Sequence, residues 1–343
     1  MPSIYKLKTA MLCSVALTLA FFAAFAFGLG LIASYYVQEF GLIELLAISL
    51  AFSSAFVLLE YVIGPSVVRA SLGGKLRYLG KGENPWLEET VADLCARSGL
   101  KKPRLAVVED RSPNAFVFGR TQSDSTLAVH EGLLANFRED EVRAVIGHEL
   151  GHLAHKDCAV VTMLAAIPTL AYVVARVSFE SLRVKGKKGS WVALPIAAGA
   201  LSIAIYAITQ LLVLGLSRLR EHYADAFSAY LTGTPRSLIS ALAKLSYGIS
   251  VAPRQDSPVS TFYILNPAAA RDEVREIVEN KEKYDLDRDG LLDERELELA
   301  MEQEGKSFFN RATELYSTHP PTFKRILMLK QIEEEILSSP PPG

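Results

Sequence analysis

The residues best suited to chemistry lie in His148-Glu149-Leu150-Gly151-His152, an H-E-x-x-H pattern in a strongly helical context. A spacing of four puts both imidazoles on one helix face, one turn apart, where both reach one ion. Glu149 can stand beside a water on that ion without ligating. Zinc draws such a water's pKa from about 16 towards about 7, and a nearby carboxylate takes the proton. Catalytic zinc also needs a third protein ligand and an open fourth position. Glu221, in Arg220-Glu221-His222-Tyr223-Ala224-Asp225, is the obvious candidate, read here as the start of a helical stretch over 221–231. Asp225 falls one turn later on the same face, where it can accept a hydrogen bond from a ligand histidine's other ring nitrogen.

Rival ligands exist. His155 shares a helix face with His148 and His152. The extended motif with a third histidine, however, places it six residues after the second, beyond a glycine turn; that position is Cys158. His222 points about 100° away from Glu221 on a helix. His130 is isolated, and a lone histidine reads as structural.

These residues must be positioned by a chain of 343 residues with a net charge of -2, half of it hydrophobic and 22% charged. The balance implies long apolar stretches between well-charged ones and gives no reason to expect a nucleic-acid partner. Cys13, Cys95 and Cys158 are far apart and odd in number, which fits a reducing compartment.

Four segments are long and apolar enough to cross a bilayer, which requires about 20 such residues: 9–33, 42–63, 158–179 and 191–216. The first pair reads as a retained transmembrane hairpin (1–68), since its first apolar run is too long for a signal peptide. Lys6 and Lys8 precede it, while Arg69, Lys75, Arg77 and Lys81 follow it. The positive-inside rule therefore puts the N-terminus and everything after Arg69 in the cytoplasm. The second pair forms an apolar hairpin (158–216) whose connector carries Arg183, Lys185, Lys187 and Lys188. Two full spans would put that loop outside and break the rule. Either the first pair overrides the rule, or the segments form a re-entrant or laterally buried hairpin, or a hairpin buried in a soluble core.

Between the pairs, 69–157 forms the first part of a catalytic domain. Asn84-Pro85 starts a helix (N-cap and N1). Residues 104–108, 115–118 and 126–129 read as short strands separated by turns. A helix from about Glu139, with acids in its first turn, runs through His155. The second part of the domain, 217–343, is polar and mostly helical. Because His152 and Glu221 lie six and five residues from the apolar hairpin, the metal is expected close to the membrane face.

The chain resembles the HtpX-type membrane zinc metallopeptidases, relatives of the CAAX prenyl endopeptidases. The resemblance rests on the N-terminal spans, Pro113-Asn114-Ala115-Phe116 with Gly119-Arg120, the helix around His148-Glu149-x-x-His152, and Glu221-x-x-x-Asp225. Ser317-Thr318-His319-Pro320-Pro321 followed by Arg325 completes it. It implies a mainly α integral membrane protein with a zincin-like α+β catalytic domain carrying a small β-sheet. It also implies a site facing the cytoplasm and endoproteolysis of misfolded or damaged membrane proteins. Carried over residue by residue, Asn114, Ala115 and Phe116 begin an edge strand that pairs with an extended substrate backbone. His319 or Arg325 would stabilise the developing oxyanion. Otherwise His319 is a turn residue held by two prolines and Arg325 an ion-pair partner.

One stretch departs from that pattern. Residues 285–296 match the twelve-residue EF-hand loop, with Asp285, Asp287, Asp289, Asp293 and Glu296 at positions 1, 3, 5, 9 and 12 and Gly290 at position 6. Leu291 would ligate through its carbonyl, Asp293 through water and Glu296 with both oxygens. Helices are expected on its flanks, over 271–284 and 294–304, making a single EF-hand-like helix-loop-helix insertion with Ca2+ as a second cofactor beside Zn2+. Calcium would then order the segment leading to His319. Against the leading reading of a quality-control endopeptidase stand a CAAX-type processing protease and a non-catalytic, calcium-responsive membrane scaffold with structural zinc. The first needs a larger intramembrane chamber than four segments can build. The second needs a closed four-ligand site, and only three ligands are found.

Overall fold

The computed structural model describes residues 42–155, 192–251 and 319–338 throughout, with single positions and short runs between them. The chain divides into two compact units. One comprises Met1–Ile4, Pro65–Cys158 and Ser217–Gly343, and the other Tyr5–Gly64 and Ala159–Leu216.

In the apolar unit, the expected span 42–63 is helical within α1 (Leu42–Leu72). Leu58, Leu59, Val62 and Ile63 on that helix are exposed. The segment 191–216 belongs to α5 (Ala193–Thr232), an unbroken helix of 40 residues, about 60 Å long at 1.5 Å per residue. Among the described residues α5 alone is long and apolar enough to cross a bilayer, with a mean hydropathy of 2.0 over its most apolar stretch. Most of 9–33 and of 158–179 lies outside the described residues. The sequence suggested a helix beginning at Glu221, but no break precedes that residue. Nothing in 217–220 breaks a helix, so the chain passes from apolar to polar without leaving it.

The catalytic unit is built on a small mixed sheet in the order β1-β2-β4-β3. Its strands are β1 (Leu76–Tyr78), β2 (Arg104–Val108), β3 (Ala115–Phe118) and β4 (Thr126–His130). β1 was not expected: three residues of mixed polarity carry too little alternation to be read as a strand. β2 pairs with β4 in parallel, and β1 and β3 flank them antiparallel. Because side chains alternate along a strand, the sheet has two apolar faces. Ala115, Val117, Leu127 and Val129 join the main core with Leu87, Val142, Leu242 and Ile326. Phe116, Phe118, Val108 and Ala128 pack with Val68 and Leu72, from the last turns of α1.

Helices complete this unit. α2 (Pro85–Ser98) starts as expected, with the Asn84 side chain accepting from the Leu87 N–H at 3.1 Å and Pro85 in the first turn; Gly99, left-handed, ends it. A short α3 (Glu131–Asn136) follows β4. α4 (Glu139–Ala154) carries Glu139, Asp140 and Glu141 in its first turn, where they complement the helix dipole. Glu141 is buried, accepting from the Arg138 N–H at 2.8 Å and from Lys244 Nζ at 2.6 Å. Lys244 lies on α6 (Pro235–Val251), so this pair ties the metal-motif helix to its neighbour. α7 (Thr322–Ser338) buries Thr322, Arg325, Ile326, Leu329 and Ile332, a helical stripe facing the core.

Candidate metal centre

α4 presents His148 and His152 on one face, with their Nε2 atoms 3.2 Å apart and their rings nearly perpendicular. α5 brings Glu221 to the same point. Its Oε2 is 3.5 Å from His148 Nε2 and its Oε1 3.4 Å from His152 Nε2. One ligand atom from each of the three residues lies within 4.8 Å of the others.

The helices meet this closely because the contact surface is made of small residues. A Cβ on Gly151 would stand 2.9 Å from the Ala224 Cα, and one on Gly147 2.8 Å from Ser228 Oγ. Ser228 also donates to the Ala144 carbonyl at 2.6 Å. Gly147 and Gly151 on α4 thus face Ala224 and Ser228 on α5, small residues four apart on both sides. Reading H-E-x-x-H for its ligands alone overlooks the two glycines, one just before it and one within it, although their spacing is visible in the sequence.

A second tier of charge holds the ligands. His148 Nδ1 is 2.9 Å from Asp225 Oδ1. Arg325 grips both oxygens of Asp225, through Nε at 2.7 Å and Nη2 at 2.6 Å, and its Nη1 is 3.6 Å from Glu221 Oε2. Its side chain is fully buried. Burial works against charge on His148, but Asp225 and Glu221 outweigh it and raise its pKa to about 9.

The donor set fits a divalent cation. Two imidazole nitrogens and a carboxylate converge on one point, all within 4.8 Å of one another. Among the described residues, the buried Glu221 Oε2 finds no hydrogen-bond partner. Two nitrogens and one oxygen suit zinc.

Glu149 stays out of this cluster. It is buried, and its Oε2 accepts from the Val117 N–H of β3 at 3.0 Å. Burial raises its pKa, opposed by His152 and His148. β3 is the last strand of the described sheet. Asn114 leads into it with its carbonyl accepting from the His130 N–H at 2.9 Å, and Ala115 and Phe116 begin it. His319 is buried, with Nε2 3.8 Å from Glu221 Oε1. Burial lowers its pKa to about 4 against the opposing pull of Glu221, so it is neutral at ordinary pH. Arg218, one turn before Glu221, donates to the Ser317 carbonyl at 2.9 Å and so fixes the approach to His319. Nothing in the sequence links these two residues, 99 positions apart.

The rival histidines lie elsewhere. His155 ends α4 with its ring edge-on to Tyr223, and His130 lies behind β3 with its ring 6.0 Å from Phe116. Of the acidic loop, Leu286, Arg295 and Glu296 are described. The Leu286 N–H donates to Glu296 Oε1 at 2.5 Å, while Asp285, Asp287, Asp289, Leu291 and Asp293 lie outside the described residues. On its flanks, Ile277, Tyr284, Leu297 and Ala300 are buried in the core that also holds Ile326 and Leu329 of α7.

The model of peptidase family M48 matches residues 81–333. A protease HtpX homolog of Aeropyrum pernix is 35% identical over 292 residues, 82% of this chain and 85% of the relative. One of Methanothermobacter thermautotrophicus is 36% identical over 194 residues, 57% of this chain and 71% of the relative. The crystal structure of S. mikatae Ste24p aligns with a TM-score of 0.43 at 19% identity, over 79% of this chain and 66% of that one. At that score it adds nothing to the geometry above.

Proposed function

The chain belongs to peptidase family M48 and is a membrane metalloendopeptidase, and from that premise we propose that His148, His152 and Glu221 hold zinc while Glu149 serves as general base. The observation that carries this reading is the separation of roles among the carboxylates. Glu221 converges on the two imidazoles, whereas Glu149 is turned to the Val117 N–H of the adjoining strand.

When bound, the metal supplies Lewis acidity, acidifying a water and polarising the scissile carbonyl. The protein's residues do the rest. Glu149, raised in pKa by burial, accepts the proton of the attacking water and delivers it to the leaving amine. Neutral His319 donates towards the oxyanion as it develops. Both nitrogens of Arg325 that grip Asp225 are committed to it, so Arg325 is a positioning residue: it fixes Asp225, which fixes the His148 ring. β3 aligns the peptide through backbone hydrogen bonds, which are tolerant of sequence. That tolerance supports misfolded or damaged membrane proteins as substrates. The positive residues that flank the first hairpin support a site facing the cytoplasm, and α5, which carries both an apolar stretch and Glu221, supports a metal near the membrane face.

The domain reading is an N-terminal hairpin 1–68, a catalytic domain split over 69–157 and 217–343, and an apolar hairpin 158–216. Calcium in the 285–296 loop is a separate proposal, supported by the complete EF-hand pattern. Its buried flanks share a core with α7, which offers a path to Arg325. Equal peptidase rates with calcium and with a calcium-selective chelator, at fixed zinc, would refute regulation by that loop.

The deciding experiment for the main reading compares wild type and Glu149→Gln on a misfolded membrane protein in detergent. Zinc retained and cleavage lost is the expected result. Cleavage by both proteins overturns the assignment.

A further inference from the structure

Outside the metal centre, Asp110, Ser112 and His130 gather a carboxylate, a hydroxyl and an imidazole in one place. These types could form a nucleophilic triad, but their geometry is the wrong way round. Ser112 Oγ donates to Asp110 Oδ1 at 2.7 Å. His130 Nδ1 is 3.0 Å from the Ser112 carbonyl oxygen, which can only accept, so Nδ1 carries the proton. A nitrogen already protonated cannot activate the hydroxyl that lies 3.4 Å from it. Burial holds the imidazole below its ordinary pKa, against the opposing pull of Asp110.

What the cluster does is fasten a loop. The Ser112 N–H donates to Asp110 Oδ1 at 2.9 Å, closing a tight turn. The Gly132 N–H donates to the Asp110 carbonyl at 3.0 Å and the His130 N–H to the Asn114 carbonyl at 2.9 Å. Gly132 is required for this approach, because a Cβ there would lie 2.0 Å from the Arg111 carbonyl oxygen. The loop runs directly into β3, and three residues after Asn114 the Val117 N–H meets Glu149.

We propose that His130 is a positioning residue for the peptidase reaction, latching the 110–114 loop so that β3 presents an extended peptide in fixed register with Glu149. The proposal rests on the reading of β3 as the substrate strand. His130 touches neither metal nor peptide; it acts through Ser112 and the strand. A strand free to slip its register holds an extended peptide less tightly in the productive alignment, and the latch is what prevents such a slip.

The test uses the full-length, metal-loaded enzyme in detergent and an unstructured fluorogenic peptide. His130→Leu, which removes the donor but keeps the bulk, is expected to raise KM about tenfold with kcat changed less and zinc affinity unchanged. His130→Asn, whose amide N–H lies close to where Nδ1 was, should restore most of it; His130→Gln, which places its amide near Nε2, should not. In the Glu149→Gln background, bound peptide should slow hydrogen exchange at 115–118 in the presence of His130 and less with His130→Leu. Where His130→Leu fails to fold, Ser112→Ala is expected to raise KM about threefold. Equal protection and equal KM in these variants and wild type overturn the latch, as does a loss that His130→Asn fails to rescue. If wild type shows no protection at 115–118, the reading of β3 fails and the latch falls with it.

Discussion

The proposed site has two walls, one for the metal and one for the substrate, and they are held by different forces. The metal wall, from α4, α5 and α7, is fastened by buried charge: His148 on Asp225, and Asp225 on Arg325. The substrate wall, from β3 and its entry loop, is fastened by backbone hydrogen bonds, the turn that Ser112 closes on Asp110 and apolar packing on Val68 and Leu72. Buried charges hold a geometry stiffly but fail abruptly when one partner is removed. A strand held by many weak contacts yields by degrees. Damage to the first wall should therefore appear in kcat and metal content, and damage to the second in KM.

The largest effect expected is on the residue that stands between the walls. Glu149→Gln should lower kcat by a factor of about 10²–10⁴, the usual worth of a general base, with zinc content unchanged by elemental analysis. His319→Phe should lower kcat by roughly 10²–10³ if the imidazole donates to the oxyanion; an unchanged kcat in steady-state kinetics would return His319 to a structural role. Asp225→Asn should weaken zinc binding by about 10–100-fold, read by competition with a chromogenic chelator. A change in KM alone in that variant would erase the contrast between the walls.

Gly132→Ala tests the other side. Its Cβ displaces the Arg111 carbonyl, and kcat/KM should fall on the order of tenfold, mainly through KM, with zinc affinity intact. The smallest effect concerns pH. His130 is held below its ordinary value of 6.5 by burial, between the charges of Asp110 and Lys75. As pH falls through 6.5 the unfolded chain takes up a proton that the folded chain refuses. The stability this group contributes is present above 6.5 and lost as pH falls towards the lowered value. His130→Asn should flatten that part of the thermal-melting profile.

The legibility of the two walls differs for a physical reason. His148, Glu149 and His152 are neighbours on one helix turn, so five residues suffice to announce them. Asp225 was legible because it repeats the same one-turn spacing from Glu221. The strands 104–108 and 115–118 were legible from their apolar, β-branched and aromatic runs. β1 was not, nor was the continuity of α5 across residues 216–221, because composition changes there while backbone preference does not. The latch was unreadable: His130 is a lone histidine in the sequence, and its partners acquire meaning only once β3 and β4 pair.

By itself, the sequence determined the local chemistry: a helix face with two imidazoles and a base, a distant Glu-x-x-x-Asp, an acidic loop of EF-hand form, and apolar stretches fit for a bilayer. Each follows from spacing along one element, where helix or strand geometry fixes the relation between residues. The tertiary structure decided which of these meet. It brought Glu221 to the histidines across a seam of Gly147, Gly151, Ala224 and Ser228, and committed Arg325 to Asp225. It also set Glu149 against Val117. Those relations span tens to hundreds of residues, and only close packing of whole elements makes them.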